Sequence, residues 1–377
     1  MFLVTIGWYK KYYKNVHISC LTSQPNHQKL KINEIIHPLD LDYFNKKVIF
    51  KLAIKSLLLR LFKINLFNRY EIKLVDLIQA QDIIHFTGGG NINSKYSNWL
   101  YYSLSIIAIS KIFSKKIYIT SHTFGPFKIM DYPIFILFIN FVNKIVLREP
   151  TSFVTRIKFG IIFPKLFGSL DSAYFLKNGK YSVTSPKAFR IGLSIHNNSN
   201  NTQNIKFLKK TLTDISTKHK IELIFLPHIL TSTPEHDYFY MKKFFKSSKN
   251  IKIINISNKQ IINSPGETAN IISFLTSTCN LCITTRYHGQ IFSLSNSIPC
   301  YSIFENSYHK QKFLGAYKLT YGNKFSNKFL IGKNDYKNMT SNILYSIENI
   351  ISEQNTLKQL NKTLKKNKGI IYNYIYN

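Results

Sequence analysis

An arginine and a histidine two residues apart carry the clearest chemical potential in this sequence. Arg286 and His288 lie in the stretch LCITTRYHG, after an apolar run at 281–285 that predicts a buried strand. A guanidinium binds carboxylate or phosphate through a planar fork, and an imidazole with a pKa of about 6.5 transfers protons. Arginine is scarce here, with six among the 51 basic residues. The pair therefore predicts an anion-binding site with a proton donor beside it.

The segments around this pair predict an α/β fold. Apolar, β-rich runs alternate with helical patterns, and we expect strands at 82–86, 116–120, 144–147, 165–166, 189–195, 222–226, 251–254, 281–285 and 300–304. In a parallel sheet, the carboxyl ends of the strands and the amino ends of the following helices form the crevice where ligands bind. Arg286 and His288 would lie at that edge, with a helix expected from Gln290 to Ser297.

Other strand ends also carry residues suited to ligand binding. The glycines allow either a sharp turn or close approach of a ligand, and the polar residues could contact it. The candidates are Gly88, Gly89 and Gly90 after the first of these strands, His122 and Gly125 after the second, Arg148 after the third, Asp171 after the short fourth, and His228 with nearby Asp237 in the second half. Their recurrence at strand ends predicts a shared crevice.

Composition restricts the class of protein. A chain of 377 residues with 45% apolar residues predicts two domains of ordinary size. The formal charge of +33 is mostly scattered lysine, without the basic block and interleaved aromatic residues of a nucleic-acid-binding protein. We therefore expect no nucleic-acid partner. The charge leaves open a peripheral contact with an anionic membrane.

One predicted helix bears on that contact. The segment at 51–67 has apolar spacing compatible with an amphipathic helix, which could pack on a sheet or lie on a membrane. Packing is the favoured reading. No stretch reaches the roughly 18 apolar residues of a spanning helix, and the first eight residues are too short for a signal peptide. We expect a cytoplasmic protein, with a peripheral position at the inner face of the membrane left open.

The four cysteines predict buried thiols. Cys279 and Cys282 form a CxxC pair, but no second pair follows, which disfavours a zinc or redox site. The spacing of the histidines and acids around His228 matches no familiar metal site either, so no metal is expected. A polar, turn-rich stretch at 178–187 predicts a linker. We therefore expect domains at 1–177 and 188–333, followed by a helical tail at 334–377.

With these residues in view, the chain resembles the polysaccharide pyruvyl transferase family. The resemblance covers roughly residues 80–315 and rests on an ordered set of motifs: GGG at 88–90, SHTFGPF at 121–127, REPTS at 148–152, DSAYFL at 171–176, LPH at 226–228 with Asp237, and TRYHGQIFSLSNSIP at 285–299 with Lys310. It implies an α/β fold of two Rossmann-like domains facing each other across a cleft, as in glycosyltransferases of the B type.

The same resemblance implies an activity and its partners. The enzyme would transfer a pyruvate ketal (carboxyethylidene) group from phosphoenolpyruvate to a sugar of a surface polysaccharide precursor, free or lipid-linked, without a cofactor. Arg286, Arg148 and Lys310 would hold the anionic donor, and His288 would deliver a proton to it. His228 or Asp237 would accept the proton of the attacking hydroxyl. The remaining substrate contacts would come from Gly88, Gly89, Gly90, His122, Gly125 and Asp171.

The amino-terminal region departs from the family pattern. The family begins with a strand and an Asn-x-Gly-Asp type loop, whereas residues 8–21 read as the end of the first helix and the following strand. We therefore expect a first domain without its first strand, through a truncated start or a degenerate copy. Two further functions stay open. One is a nucleotide-sugar glycosyltransferase with Glu305 or Glu267 at the ribose, and the other is a non-catalytic family member.

Overall fold

The protein was analysed as a computed structural model. It describes residues 5–6, 9–11, 13–21, 34–36, 40–149, 160–161, 166–176, 178, 188–196, 202–228, 237–245, 249–254, 265–322, 329–332 and 339–366. Contacts divide the chain into unit 1, residues 1–172, and unit 2, residues 173–373. Most of the stretch expected to be a linker, residues 179–187, lies outside the described residues. The domain bounds inferred from the sequence stay a prediction.

Unit 1 is built on parallel strands separated by helices. Its elements are β1 (Ser19–Leu21), β2 (Glu34–Ile36), α1 (Lys46–Phe62), α2 (Arg69–Gln79), β3 (Ile83–Gly89), α3 (Ser97–Ile112), β4 (Lys116–His122), α4 (Tyr132–Ile139), β5 (Lys144–Leu147) and β6 (Leu166–Gly168). The strands β3, β4, β5 and β6 form one parallel sheet in that order, and β1 and β2 pair in a second, two-stranded parallel sheet. Short 3₁₀ helices cover Leu41–Tyr43 and Ser94–Tyr96, and a third, Ser172–Phe175, spans the boundary with unit 2.

Local capping fixes the helices that pack on this sheet. The Asn45 side chain accepts hydrogen bonds from the first backbone N–H groups of α1, and Asn68 with Glu71 forms a capping box at the start of α2. The helix α3 is buried along nearly its whole length and shares one apolar core with α1, α2 and the strands. This core holds the carboxyl ends of β3, β4 and β5 side by side.

Residues of β1 and β3 together line two cavities. One has a volume of about 380 Å³ and includes Cys20, Leu21 and Phe86 in its wall. The other has a volume of about 400 Å³ and is lined by Ser19, Ile83 and residues of the amino-terminal segment. Among the described residues of unit 1, β1 and β3 belong to separate sheets.

Unit 2 has the strand order of a Rossmann fold. Its elements are β7 (Phe189–Ser194), α5 (Thr202–Ser216), β8 (Ile221–Phe225), α6 (Asp237–Phe244), β9 (Ile251–Ile254), α7 (Pro265–Ser277), β10 (Leu281–Thr284), α8 (Tyr287–Ser295), β11 (Cys300–Ile303), α9 (Ser307–Tyr321), β12 (Leu330–Ile331) and α10 (Met339–Lys366). The strands are parallel and lie in the order β12-β11-β10-β7-β8-β9. From the β7–β10 pair, successive strands are added outward in opposite directions across the sheet. This reversal is the topological switch point where such sheets bind ligands.

The cysteines and the carboxyl-terminal tail were both described by predictions from the sequence. All four cysteines are free and buried, as expected, and Cys279 and Cys282 pack against Gly192 of β7. The predicted tail contains α10, which contacts α5, α8 and α9 within unit 2. Within the described ranges, no helix combines the length and the apolar character that crossing a bilayer requires.

Candidate functional site

The Arg-Tyr-His-Gly stretch lies at the switch point of unit 2. Arg286 follows β10 and is the residue that immediately precedes α8, so this helix begins three residues earlier than its predicted start at Gln290. Hydrogen bonds tie this turn to β7, because the Thr285 backbone N–H donates to Ser194 O at 2.9 Å and Thr284 Oγ1 donates to the same oxygen at 3.0 Å. His288 therefore lies in the first turn of a helix, where backbone N–H groups and the helix dipole favour an anion.

A glycine allows α8 to begin this close to the sheet. A Cβ atom at Gly289 would lie 2.4 Å from Thr284 Oγ1 and 2.9 Å from Ser194 Oγ. Both distances are too short for a side chain, so the first turn of α8 could not pack against β7 and β10 with any other residue. The predicted start was wrong because glycine disfavours helix interiors, and the sequence does not reveal that packing requires it here.

Asp237 connects Arg286 with the loop after β8. Its Oδ1 accepts a hydrogen bond from Arg286 Nη2 at 2.5 Å, and its Oδ2 accepts one from the His228 backbone N–H at 2.9 Å. The Asp237 side chain is fully buried, whereas that of Arg286 is 16% exposed. Both carboxylate oxygens are thus engaged, which favours a positioning role for Asp237 over proton transfer.

Two imidazoles lie against one aromatic ring in the same region. The His228 ring stacks on Phe292 with a centroid distance of 5.6 Å, and the His288 ring stacks on it at 6.3 Å. Burial lowers the pKa of His228 to about 3, and the neighbouring His288 and Arg286 act in the same direction, against Asp237. His228 is therefore neutral at physiological pH.

Several buried polar atoms at the switch point lack a hydrogen-bond partner among the described residues. They are Ser194 Oγ, His228 Nε2, Arg286 Nε and Gln290 Oε1. Buried polar atoms without partners are costly in a folded protein, and their concentration at one place is typical of a ligand-binding site. Gln290 was not recognised in the sequence, since its amide is fixed by donation to Phe313 O at 2.9 Å, a contact that only the fold creates.

The lysine that contacts the start of α8 is Lys312, whereas the sequence pointed to Lys310. Lys310 is exposed, and its ammonium lies 5.5 Å from the centroid of the Phe304 ring. Lys312, one half-turn further along α9, lies over the rings of Tyr287 and Tyr308 at 5.0 and 5.3 Å. Donor binding by Lys310 stays a prediction. Lys312 is a second candidate for the same role, and the spacing along α9 alone could not distinguish the two lysines.

In unit 1, the predicted Arg148 and Asp171 form a buried ion pair. Arg148 Nη1 donates to Asp171 Oδ2 at 2.9 Å, while Arg148 Nε donates to Glu149 Oε1 at 3.1 Å and to Thr123 Oγ1 at 2.9 Å. The Arg148 side chain is only 3% exposed. The sequence suggested a cation available to an anionic donor, whereas the guanidinium faces two carboxylates. Direct substrate contacts by Arg148 and Asp171 stay predictions.

His122 and the glycine-rich turn lie beside this ion pair. Gly89 has a positive φ of 124°, and a Cβ atom there would lie 3.3 Å from His122 Cε1, so glycine is required for the close approach. Burial lowers the pKa of His122 to about 3, with Arg148 acting in the same direction. Its Nδ1 has no hydrogen-bond partner among the described residues. His122 is therefore a neutral candidate contact.

The other predicted residues of unit 1 shape the same loops. Gly88 has a positive φ of 66°, and the Gly90 carbonyl accepts a hydrogen bond from the Asn93 side chain. Gly125 also has a positive φ, and its backbone N–H donates to Ile92 O at 3.1 Å. The structure thus groups Gly89, His122, Arg148 and Asp171 in unit 1, and His228, Asp237, Arg286 and His288 in unit 2.

Comparison with known proteins identifies the family. A family model described as polysaccharide pyruvyl transferase matches residues 5–308. Because the match spans most of the chain, the chain belongs to the polysaccharide pyruvyl transferase family, and the resemblance inferred from sequence is confirmed. This assignment indicates a transferase that acts on polysaccharide. No curated protein matches the chain significantly.

Similar solved structures show the fold. A putative UDP-N-acetylglucosamine 2-epimerase from Listeria monocytogenes has a TM-score of 0.58 at 10% identity. The superposition covers 95% of this chain and 86% of the epimerase chain. A glycosyltransferase from Rickettsia africae has a TM-score of 0.54 at 13% identity, covering 99% of this chain and 93% of its own. These likenesses confirm two Rossmann-like sets of parallel strands.

Proposed function

We propose that this protein transfers a pyruvate ketal group from phosphoenolpyruvate to a sugar of a surface polysaccharide precursor. The observation that carries the proposal is the position of Arg286 and His288 at the switch point of unit 2 in a chain of this family. An anion-binding fork and a proton-transfer group are what this donor requires. The acceptor is proposed to be a sugar, free or lipid-linked, and the reaction to take place in the cytoplasm.

Donor binding would use two features of the switch point. Arg286 presents its guanidinium next to the first turn of α8, and Asp237 fixes the Nη2 side of that group at 2.5 Å. The Nε atom, which has no partner among the described residues, can bind a carboxylate or phosphate oxygen. The backbone N–H groups at the start of α8 add dipolar attraction for the donor's negative charge.

The two histidines would divide the proton transfers. His288 would donate a proton to the methylene carbon of the donor, which makes the adjacent carbon an oxocarbenium-like electrophile. One sugar hydroxyl attacks that carbon and gives its proton to the neutral His228. The bond to the phosphate oxygen then breaks, and a second hydroxyl closes the ketal ring.

The reaction balances without a cofactor or metal. Two new bonds from carbon to sugar oxygen replace the carbon–phosphate oxygen bond and the double bond. Of the two hydroxyl protons released, one replaces the proton added to the methyl group and the other leaves with inorganic phosphate. We therefore propose that the acid, the base and the anion-binding groups carry the reaction.

Turnover tests this proposal directly. Purified protein is incubated with phosphoenolpyruvate and a panel of methyl glycosides in heavy water, and phosphate release and the ketal methyl signal are followed by NMR. We expect one deuterium in the methyl group and loss of turnover in His288→Gln. The matched control is His219→Gln, because His219 precedes β8 at the opposite edge of the sheet. Turnover in His288→Gln equal to the control would refute the assigned role.

A further inference from the structure

The outer face of α1 is an unusual surface for a protein in water. Phe50, Ile54, Leu57 and Leu61 recur at the spacing of one helix face, and they are 42%, 60%, 46% and 59% exposed. We call these four residues the α1 apolar face. The opposite side of the same helix buries Val48, Ile49, Leu52 and Ser56. The helix is thus apolar on two sides, and its packing against α3 accounts for only one of them.

Neighbouring residues extend this surface. Phe62, the last residue of α1, is 65% exposed, and Ile64 and Leu66 beyond it are 47% and 51% exposed. The Phe50 ring lies 5.6 Å from the buried Phe138 ring of α4, and Leu137 of the same helix is 49% exposed. Scattered exposed apolar residues are ordinary, but exposed apolar residues that recur along one helix face indicate an interaction site.

Basic residues flank the α1 apolar face. Residues 46–63 contain six basic and no acidic side chains. By helical spacing, Lys47 and Lys51 lie along one flank of the face, and Lys46 and Arg60 along the other. Two carboxylates from elsewhere pair with this set, Asp131 with Lys46 and Glu71 with both Lys51 and Lys55. Positive charge remains in excess.

We propose that the α1 apolar face docks this protein on an anionic lipid bilayer. Apolar side chains would enter the interface between headgroups and acyl chains, the exposed Lys47 would reach the headgroup phosphates, and the excess positive charge around the face would attract them. A second copy of the chain fits less well, since a symmetric contact through this face would bring basic flanks together. Anionic headgroups supply the complementary charge.

Cosedimentation with vesicles tests the proposal. Full-length protein is mixed with vesicles of equal parts phosphatidylglycerol and phosphatidylcholine, or of phosphatidylcholine alone. We expect binding to the anionic vesicles that weakens with salt, and weaker binding to the neutral ones. The double variant Leu57→Ser/Leu61→Ser should bind the anionic vesicles at least about tenfold more weakly, because two partly exposed leucines lose their transfer into the interface. Lys47→Gln should weaken binding about fivefold.

A control variant and a second measurement make the outcomes decisive. Tyr345→Ser changes a side chain that is 51% exposed on α10, far along the chain in unit 2, and should leave vesicle binding unchanged. Equal vesicle binding by the double variant and wild type would overturn the proposal. Absence of binding to the anionic vesicles would overturn it as well. A wild-type dimer in solution that the double variant converts to monomer would then show that a second copy covers the face.

Discussion

Asp237 holds Arg286 in place, with 2.5 Å between the Asp237 Oδ1 and Arg286 Nη2 atoms. The same carboxylate accepts the His228 backbone N–H, so one buried acid joins the loop after β8 to the turn after β10. The two residues are 49 positions apart in the chain. Their pairing ties the Arg286 guanidinium to the loop that carries His228.

Asp237→Asn should destabilise unit 2 and loosen Arg286. Removing one partner of a largely buried ion pair costs about 2 kcal/mol when the remaining charge is still partly exposed. Urea unfolding measures this loss. A double-mutant cycle with Arg286→Gln should give a coupling of at least about 1 kcal/mol. Additive effects of the two substitutions would show that the contact contributes nothing.

Gly289→Ala should destabilise the start of α8. The added Cβ atom would overlap Thr284 Oγ1 at 2.4 Å, and that hydroxyl already hydrogen bonds to Ser194 O and to the Arg286 backbone. We expect a loss of about 1–3 kcal/mol in urea unfolding, the range typical of overpacking. Unchanged stability would mean that α8 begins further from the sheet than the structure shows.

Substitution of Arg148 would distinguish a structural role of this residue from direct contact with the substrate. Arg148→Gln leaves the buried carboxylates of Asp171 and Glu149 without their cation, and we expect a loss of about 3 kcal/mol in unfolding free energy. The measurement is urea unfolding, with Arg69→Gln as the control because Arg69 is exposed. Unaltered stability with lost phosphoenolpyruvate binding would instead support Arg148 as a direct donor ligand.

Stability should fall as the solution becomes acidic, in part because of His228. Burial lowers its pKa to about 3 in the folded protein, whereas the ordinary value of 6.5 applies in the unfolded chain. Between these two pH values, His228 binds a proton in the unfolded chain but not in the folded protein. Stability therefore rises with pH from about 3 to 6.5. His228→Gln should reduce that slope by up to about 1.4 kcal/mol per pH unit. An identical slope in the variant, measured by urea unfolding at several pH values, would contradict a neutral buried imidazole.

The sequence predicted the framework of the fold because strand patterns are local. The bounds of β5 and β9 match the predicted 144–147 and 251–254, since each is a short apolar run between polar residues. The strand β3 runs on to Gly89 instead of ending at Phe86, because pairing with β4 continues through the glycines. Hydrogen bonding to a neighbour, which no local pattern records, sets that end.

The sequence pointed to candidate site residues by their types but not to their contacts, and their roles stay predictions. Arg286 and His288 were identified because scarce side chains follow an apolar strand. The pairing of Arg148 with Asp171 depends on 23 intervening residues, so its neutralised charge could not be inferred. The place of Lys312 over Tyr287 depends on how α9 packs. The exposure of the α1 apolar face could not be predicted either, because the apolar spacing favoured packing of this helix on a sheet.

Donor binding by calorimetry tests the central claim most directly. Phosphoenolpyruvate is titrated into wild type, Arg286→Lys and the control Arg69→Lys, with a uridine nucleotide-sugar as the comparison ligand. We predict saturable phosphoenolpyruvate binding to wild type and the control, weakened at least about tenfold in Arg286→Lys because lysine lacks the planar fork. Phosphoenolpyruvate affinity that is absent in wild type, or unchanged in Arg286→Lys, would contradict the assignment. Binding of the nucleotide-sugar alone would indicate a glycosyltransferase instead.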